Sequence, residues 1–285
     1  MRTGPDDSQA RIIRRGTQAF QAGIKVTGIL MLFNNTTFLG IDPTAGQRPF
    51  VYVALDYECN LLALGEGHMD EVLAFAAGQR EALVAVCGPR RPNQGLMADP
   101  DIRQLLSPVP KPGRYVDFRL AEYQLRQRNI SIPQTLADMH ACQNWMQESF
   151  TLFRRLEGFG YLTYPVEGAD CQLMEVYPHA CYAALLGKLP FSKNTLEGRL
   201  QRQLVLYENK VKVSDPMRFF EEITRYRLLN GVLPDDGLYS VEELDAMVAA
   251  YTAWLVGTHP EETSLVGDAE EGQIVLPVNE LLDRY

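Results

Sequence analysis

The hydrophobic pattern becomes regular at Thr37. Residues 37–42 (TFLGID) form an apolar run that ends in Gly-Ile-Asp, and 50–55 (FVYVAL) is strongly β-prone. A turn at 56–60 leads into a third run at 61–65. These predict three strands joined by two hairpin connections. Met69, Val72, Leu73 and Ala76 then recur at helical spacing, predicting a helix over 68–77. The run 81–87 (EALVAVC) stops at Gly88-Pro89 and predicts a buried fourth strand. The order β-β-β-α-β contains the crossover that a parallel strand after a helix requires. An α/β fold follows.

Beyond it, 88–112 holds six prolines and predicts loop. Amphipathic spacing predicts helices over 114–127 and 143–156. The run 172–177 (QLMEVY) reads as a strand closed by Pro178, and 195–209 and 216–229 as helices. Ser240 and Glu243 form a capping-box pattern that opens a helix over 240–256. Residues 1–36 are different: a polar, Gly- and Pro-containing start, then a short basic stretch from Arg11 to Phe20. They read as a disordered or over-long extension, with Met31 as a candidate second start. One domain, 37–285, with a helical insertion at about 90–165, is expected.

Composition narrows the class. With 285 residues, 46% hydrophobic and 22% charged, the chain suits a globular protein. It contains no run of about 18 apolar residues, so no membrane span and no membrane partner are expected. The run 28–33 is too short for a signal-peptide core. Five widely spaced cysteines without a CxxC argue against a disulfide framework or a zinc site and for a cytoplasmic setting. The net charge of −9 is uneven. Residues 1–218 carry 24 Lys and Arg against 22 Asp and Glu, and residues 219–285 carry 3 against 14. A uniformly basic nucleic-acid binder is thereby excluded, whereas a local basic surface is not.

Three carboxylates stand out. Asp42, in GIDPTAG, ends the first strand, where α/β folds place their chemistry. Glu175, in MEVYPHA, lies in an apolar strand, where a carboxylate must find solvent, a partner or a metal. Asp245 lies early in a helix of small apolar residues that can pack closely on a sheet. Each alone also reads as a turn, surface or helix-start acid. Converging, they would repel unless a hard cation neutralised them, which points to Mg²⁺ or Mn²⁺ and to phosphodiester hydrolysis. Residues 188–212 hold six basic side chains, among them Lys193, Arg199 and Arg202, and Arg90 and Arg91 follow the fourth strand. These five are the expected substrate contacts. The acidic last quarter, Asp245 aside, is expected to face away from them.

The blocks GIDPTAG, VAVCGPRRPNQGLM, AEYQLRQRNI, WMQESFTLFRRL, MEVYPHACYAALLG, KNTLEGRLQRQ, LDAMVAAYTA and GDAEEGQIVLP occur in that order. In these the chain resembles a bacterial and archaeal family of uncharacterised proteins described as predicted RNase H-like nucleases. The resemblance implies a ribonuclease H-like mixed sheet flanked by helices, which the β-β-β-α-β order fits. It implies a metal-dependent nuclease with Asp42, Glu175 and Asp245 as metal ligands and nucleic acid as partner. It also exposes a departure: Cys87 stands where such enzymes often carry a strand-four Asp, and a thiol is a poor Mg²⁺ ligand. Either Glu66, read as opening the helix after strand three, or Glu175 fills that site, or the chemistry is weakened. Two alternatives stand beside the nuclease: a catalytically degenerate module that binds nucleic acid or protein, and an actin-like or sugar-kinase-like phosphotransferase.

Overall fold

The computed structural model describes residues 36–44 and 48–285. The expectations for the N-terminal extension and for Met31 lie outside them.

Strands β1 (Thr37–Asp42), β2 (Phe50–Leu55) and β3 (Leu61–Gly67) form an antiparallel meander. Helix α1 (Met69–Ala77) crosses over to β4 (Ala82–Val86), which lies parallel to β1. After β4 come α2 (Pro100–Gln104), α3 (Leu120–Gln127) and α4 (Asn144–Gly158). The two-residue strand β5 (Leu162–Thr163) and then β6 (Cys171–Glu175) follow, both parallel within the sheet. The chain continues through α5 (Pro178–Leu186), α6 (Leu196–Glu208), the short α7 (Arg218–Glu222) and α8 (Arg225–Leu229), and the long α9 (Val241–Thr258). It closes with the hairpin β7 (Ser264–Asp268) and β8 (Gly272–Leu276). The sheet order is β3-β2-β1-β4-β6-β8-β7, with β5 paired to β6 off this path.

Strand alternation divides the core in two. Phe38, Val51, Val53, Leu83, Ala85, Cys87, Met174 and Val176 face α9 and its neighbours. Leu39, Ile41, Val84, Val86 and Leu173 face α1 and α4. Helix α9 is buried almost all round, and Ala246, Ala249, Ala250 and Ala253 are inaccessible. Its approach is set by Gly40: a Cβ there would lie 2.0 Å from the Ala246 carbonyl oxygen and 2.4 Å from the Ala250 nitrogen. The Ser240–Glu243 capping box forms as expected, with Ser240 Oγ accepting from Glu243 N and Glu243 accepting from Ser240 N.

Several expected elements change. The helix predicted over 114–127 begins at Leu120, because Arg119 is its extended N-cap and Glu122 accepts the Arg119 N–H. The helix predicted over 216–229 divides at Ile223–Thr224, where Thr224 caps α8. The strand predicted over 172–177 ends at Glu175, and Pro178 opens α5 in the first-turn position that suits proline. Between β4 and β6, α4 covers one face of the sheet, whereas α3 packs against β7.

Candidate functional site

Asp42 ends β1 on the α9 face. Its Oδ1 accepts the Thr44 N–H at 2.8 Å. Thr44 is held at φ 51°, a left-handed conformation that a β-branched residue seldom adopts, so the backbone is strained at that residue. Asp245, one turn into α9, is brought over the end of β1 by the close contact at Gly40. Cys87 continues β4 on the same face, its N–H donating to the Ile41 carbonyl at 2.8 Å. Its thiol donates to the Asp245 carbonyl at 3.4 Å. Lys193, in the loop before α6, places Nζ 2.8 Å from Asp245 Oδ2.

These groups floor a cavity of about 560 Å³ whose walls include Trp145, Tyr177, His179, Phe191 and Glu242. Burial and the nearby Asp245 raise the Asp42 pKa to about 7, against the Thr44 hydrogen bond. Burial also raises Asp245, with Lys193 pulling the other way. The Cys87 thiol is pushed well above its ordinary value by burial, then by Asp42 and Asp245, and stays protonated. Burial, Arg202 and Lys193 lower the His179 pKa, which favours the neutral ring. The buried carboxyl pair has one direct cationic partner, Lys193, with the Arg202 charge acting on Asp245 as well.

The structure brings Asp42 and Asp245 together and does not bring Glu175 to them. Glu175 pairs in register with Val86, and Val86 with Ile41, so its side chain leaves the sheet on the opposite face from Asp42. There it makes a bidentate ion pair with Arg119, both contacts at 2.8 Å, and accepts the Arg90 N–H at 3.0 Å. Gly272 leaves room for this pair, since a Cβ there would lie 2.3 Å from the Arg119 guanidinium. Glu66 lies inside β3 rather than at a helix start. It is exposed and two strands from Asp42, with Val51 paired between them. Among the described residues no group of three or more His, Cys, Asp or Glu side chains could hold a metal ion.

The expected basic contacts also separate. Arg202 is 1% exposed, donates to the Phe191 and Gly198 carbonyls and lies over the Tyr182 ring. Arg199 donates to the Leu238 and Tyr239 carbonyls. Both guanidiniums are hydrogen-bonded internally; Lys193 pairs directly with Asp245, and the Arg202 charge acts on Asp245 without a direct contact. Arg90 pairs with Glu157, and Arg91 donates to the Glu270 carbonyl. With Arg154 they line a separate pocket of about 160 Å³. The acidic last quarter does not simply face away. Glu242 lines the Asp42 cavity, and Glu271 is fully buried, accepting the Gln94 and Leu120 N–H groups. Glu242 stands three residues before Asp245, a same-face helical spacing readable in the sequence. Nothing local marked Trp145 or Phe191 as cavity walls.

A sequence model of the family described as protein of unknown function (DUF429) matches residues 40–271. The chain belongs to that family. The match begins at Gly40 and ends at Glu271, so it takes in Asp42, Cys87, Lys193 and Asp245 together. No curated protein and no solved structure matches the chain. Among the described residues no helix is long and apolar enough to cross a membrane.

Proposed function

We propose that this DUF429 chain is a metal-dependent phosphodiester hydrolase acting on nucleic acid, with Asp42 and Asp245 as its metal carboxylates. The observation that carries the reading is their convergence on one cavity floor, one from the end of the central strand and one from the helix packed across it. The order β3-β2-β1-β4-β6, with β2 antiparallel and β4 and β6 parallel, supports a ribonuclease H-like sheet. The donor set suits a hard cation, because Mg²⁺ is commonly held through one or two carboxylates, with waters and substrate phosphate completing its shell. When bound, Mg²⁺ or Mn²⁺ would supply an activated water and neutralise charge on the phosphate. Lys193 pairs with Asp245 and offers an ammonium to a phosphate oxygen. Tyr177 and Trp145 wall the cavity.

Two observations favour a second reading, a catalytically silent binding module: the third position of the floor is a protonated thiol, and Lys193 already pairs with Asp245. Thermal unfolding in Mg²⁺ or Mn²⁺, together with a nuclease assay on single-stranded, duplex and junction DNA and RNA, separates the two. The hydrolase reading expects a cation-dependent rise in Tm that Asp42→Asn and Asp245→Asn abolish, with hydrolysis lost in both. A Tm indifferent to cations, or a rise that survives in both variants, would leave the binding module.

A further inference from the structure

The shape of the cavity restricts what can reach its floor. Its volume of about 560 Å³ lies in the range of sites that enclose one small ligand. Asp245 and Cys87 are almost inaccessible, so a phosphate must enter to meet them. The walls are aromatic: Trp145 and Tyr177 are half-buried and Phe191 is 57% exposed at the rim. Trp145 Nε1–H is already donated to Gln143 at 2.7 Å, so the indole has its ring surface left to offer a ligand. The ammonium of Lys193 stands beside the carboxylates on the floor. An aromatic wall above a phosphate-seeking cation matches the two ends of one nucleotide, base and phosphate. Paired, stacked bases of an intact duplex offer neither a free ring face nor an inward phosphate.

Resting on the hydrolase reading for the floor, we propose that the cavity takes a single unstacked nucleotide unit. The base lies against Trp145 and Tyr177, and the phosphate points to Lys193. The unit comes either from a free nucleotide or from the end of a single strand. An intact duplex is excluded.

Trp145 and Trp254 are the two tryptophans of the chain. Trp254 donates to the Tyr57 carbonyl and stacks on Tyr251, and it does not line the cavity. In Trp254→Phe, Trp145 is therefore the sole indole reporter. The probes are adenosine and thymidine 5′-monophosphates, a ten-nucleotide single strand and a closed circular duplex, each with Mg²⁺ present. Calorimetry on the wild type serves as a second readout, independent of Trp254. Saturable quenching by the mononucleotide or the single strand is expected. Lys193→Gln should weaken it by about 10- to 100-fold, the size of one charge-assisted hydrogen bond. Tighter binding of the mononucleotide identifies a free nucleotide as the source, and tighter binding of the strand identifies a strand end. Circular duplex binding as tightly as either, or no binding of nucleotide and strand by both readouts, would overturn the proposal. Binding of nucleotide or strand without hydrolysis of the strand would keep the pocket and sink the catalytic reading. Hydrolysis of the circular duplex without nucleotide binding would do the reverse.

Discussion

Glu175 offers the sharpest separation of a structural from a metal-binding carboxylate. Its partner Arg119 is 1% exposed and Glu175 itself 5%, and two parallel N–H···O bonds of 2.8 Å join them. Burial alone would lower the Arg119 pKa, but Glu175, with Glu122 and Glu271 nearby, outweighs it and holds the guanidinium charged. Breaking a buried pair by removing one partner costs about 3–5 kcal/mol, because the remaining charge stays uncompensated. Glu175→Gln loses the charge and turns an amide N–H₂ toward donors, and Arg119→Met strands Glu175 beside two further carboxylates. Each should lower Tm by roughly 6–20 °C for a chain of this size. The double variant Arg119→Met/Glu175→Met should lose less than the two singles together, since matched apolar groups leave no orphaned charge. Differential scanning calorimetry, with urea unfolding as a check, measures the loss. In the same samples, the Mg²⁺-induced Tm rise of Glu175→Gln should equal that of the wild type. A loss below about 1 kcal/mol, or a vanished Mg²⁺ response with stability intact, would refute the structural assignment.

Gly40→Ala should destabilise by about 3 kcal/mol or more, at or beyond the upper end for overpacking, because the new Cβ meets helix backbone; chemical denaturation measures it. Cys87→Asp should lower Tm in EDTA through a third buried negative charge, yet enlarge the Mg²⁺-induced rise above that of the wild type. An unchanged rise would place position 87 outside the cation's reach. Glu122 is buried, and its pKa is raised from 4.5 to about 7. Its folded value exceeds its unfolded one, so its contribution is full below about pH 4.5 and is lost as pH rises through 7. Glu122→Gln should therefore flatten the fall in Tm between pH 5 and 8, followed by scanning calorimetry across that range.

Local sequence determined what depends on near neighbours. The runs 37–42 and 50–55 became strands with those bounds, Ser240–Glu243 capped α9, and its alanines predicted a close helix–sheet contact. The carboxylates Asp42 and Asp245 were visible because each stood at an element end or in an apolar helix. The helix α5 and the β7–β8 hairpin were not read. Pro178 served equally as a strand stop and a helix start, and the hairpin strands are short. The face that Glu175 takes was beyond any local signal. It follows from the parallel register with β4, and a shift of one residue would have turned it toward Asp42. Arg199 and Arg202 looked like a solvated basic face because charge is legible in sequence and burial is not. Only the packing of α6 against the loop that precedes it and the segment before α9 gave their guanidiniums these carbonyls to satisfy. The cavity is likewise a product of tertiary structure. Residues 42, 87, 145, 193 and 245 share no periodicity, and they meet because the chain crosses one sheet edge repeatedly.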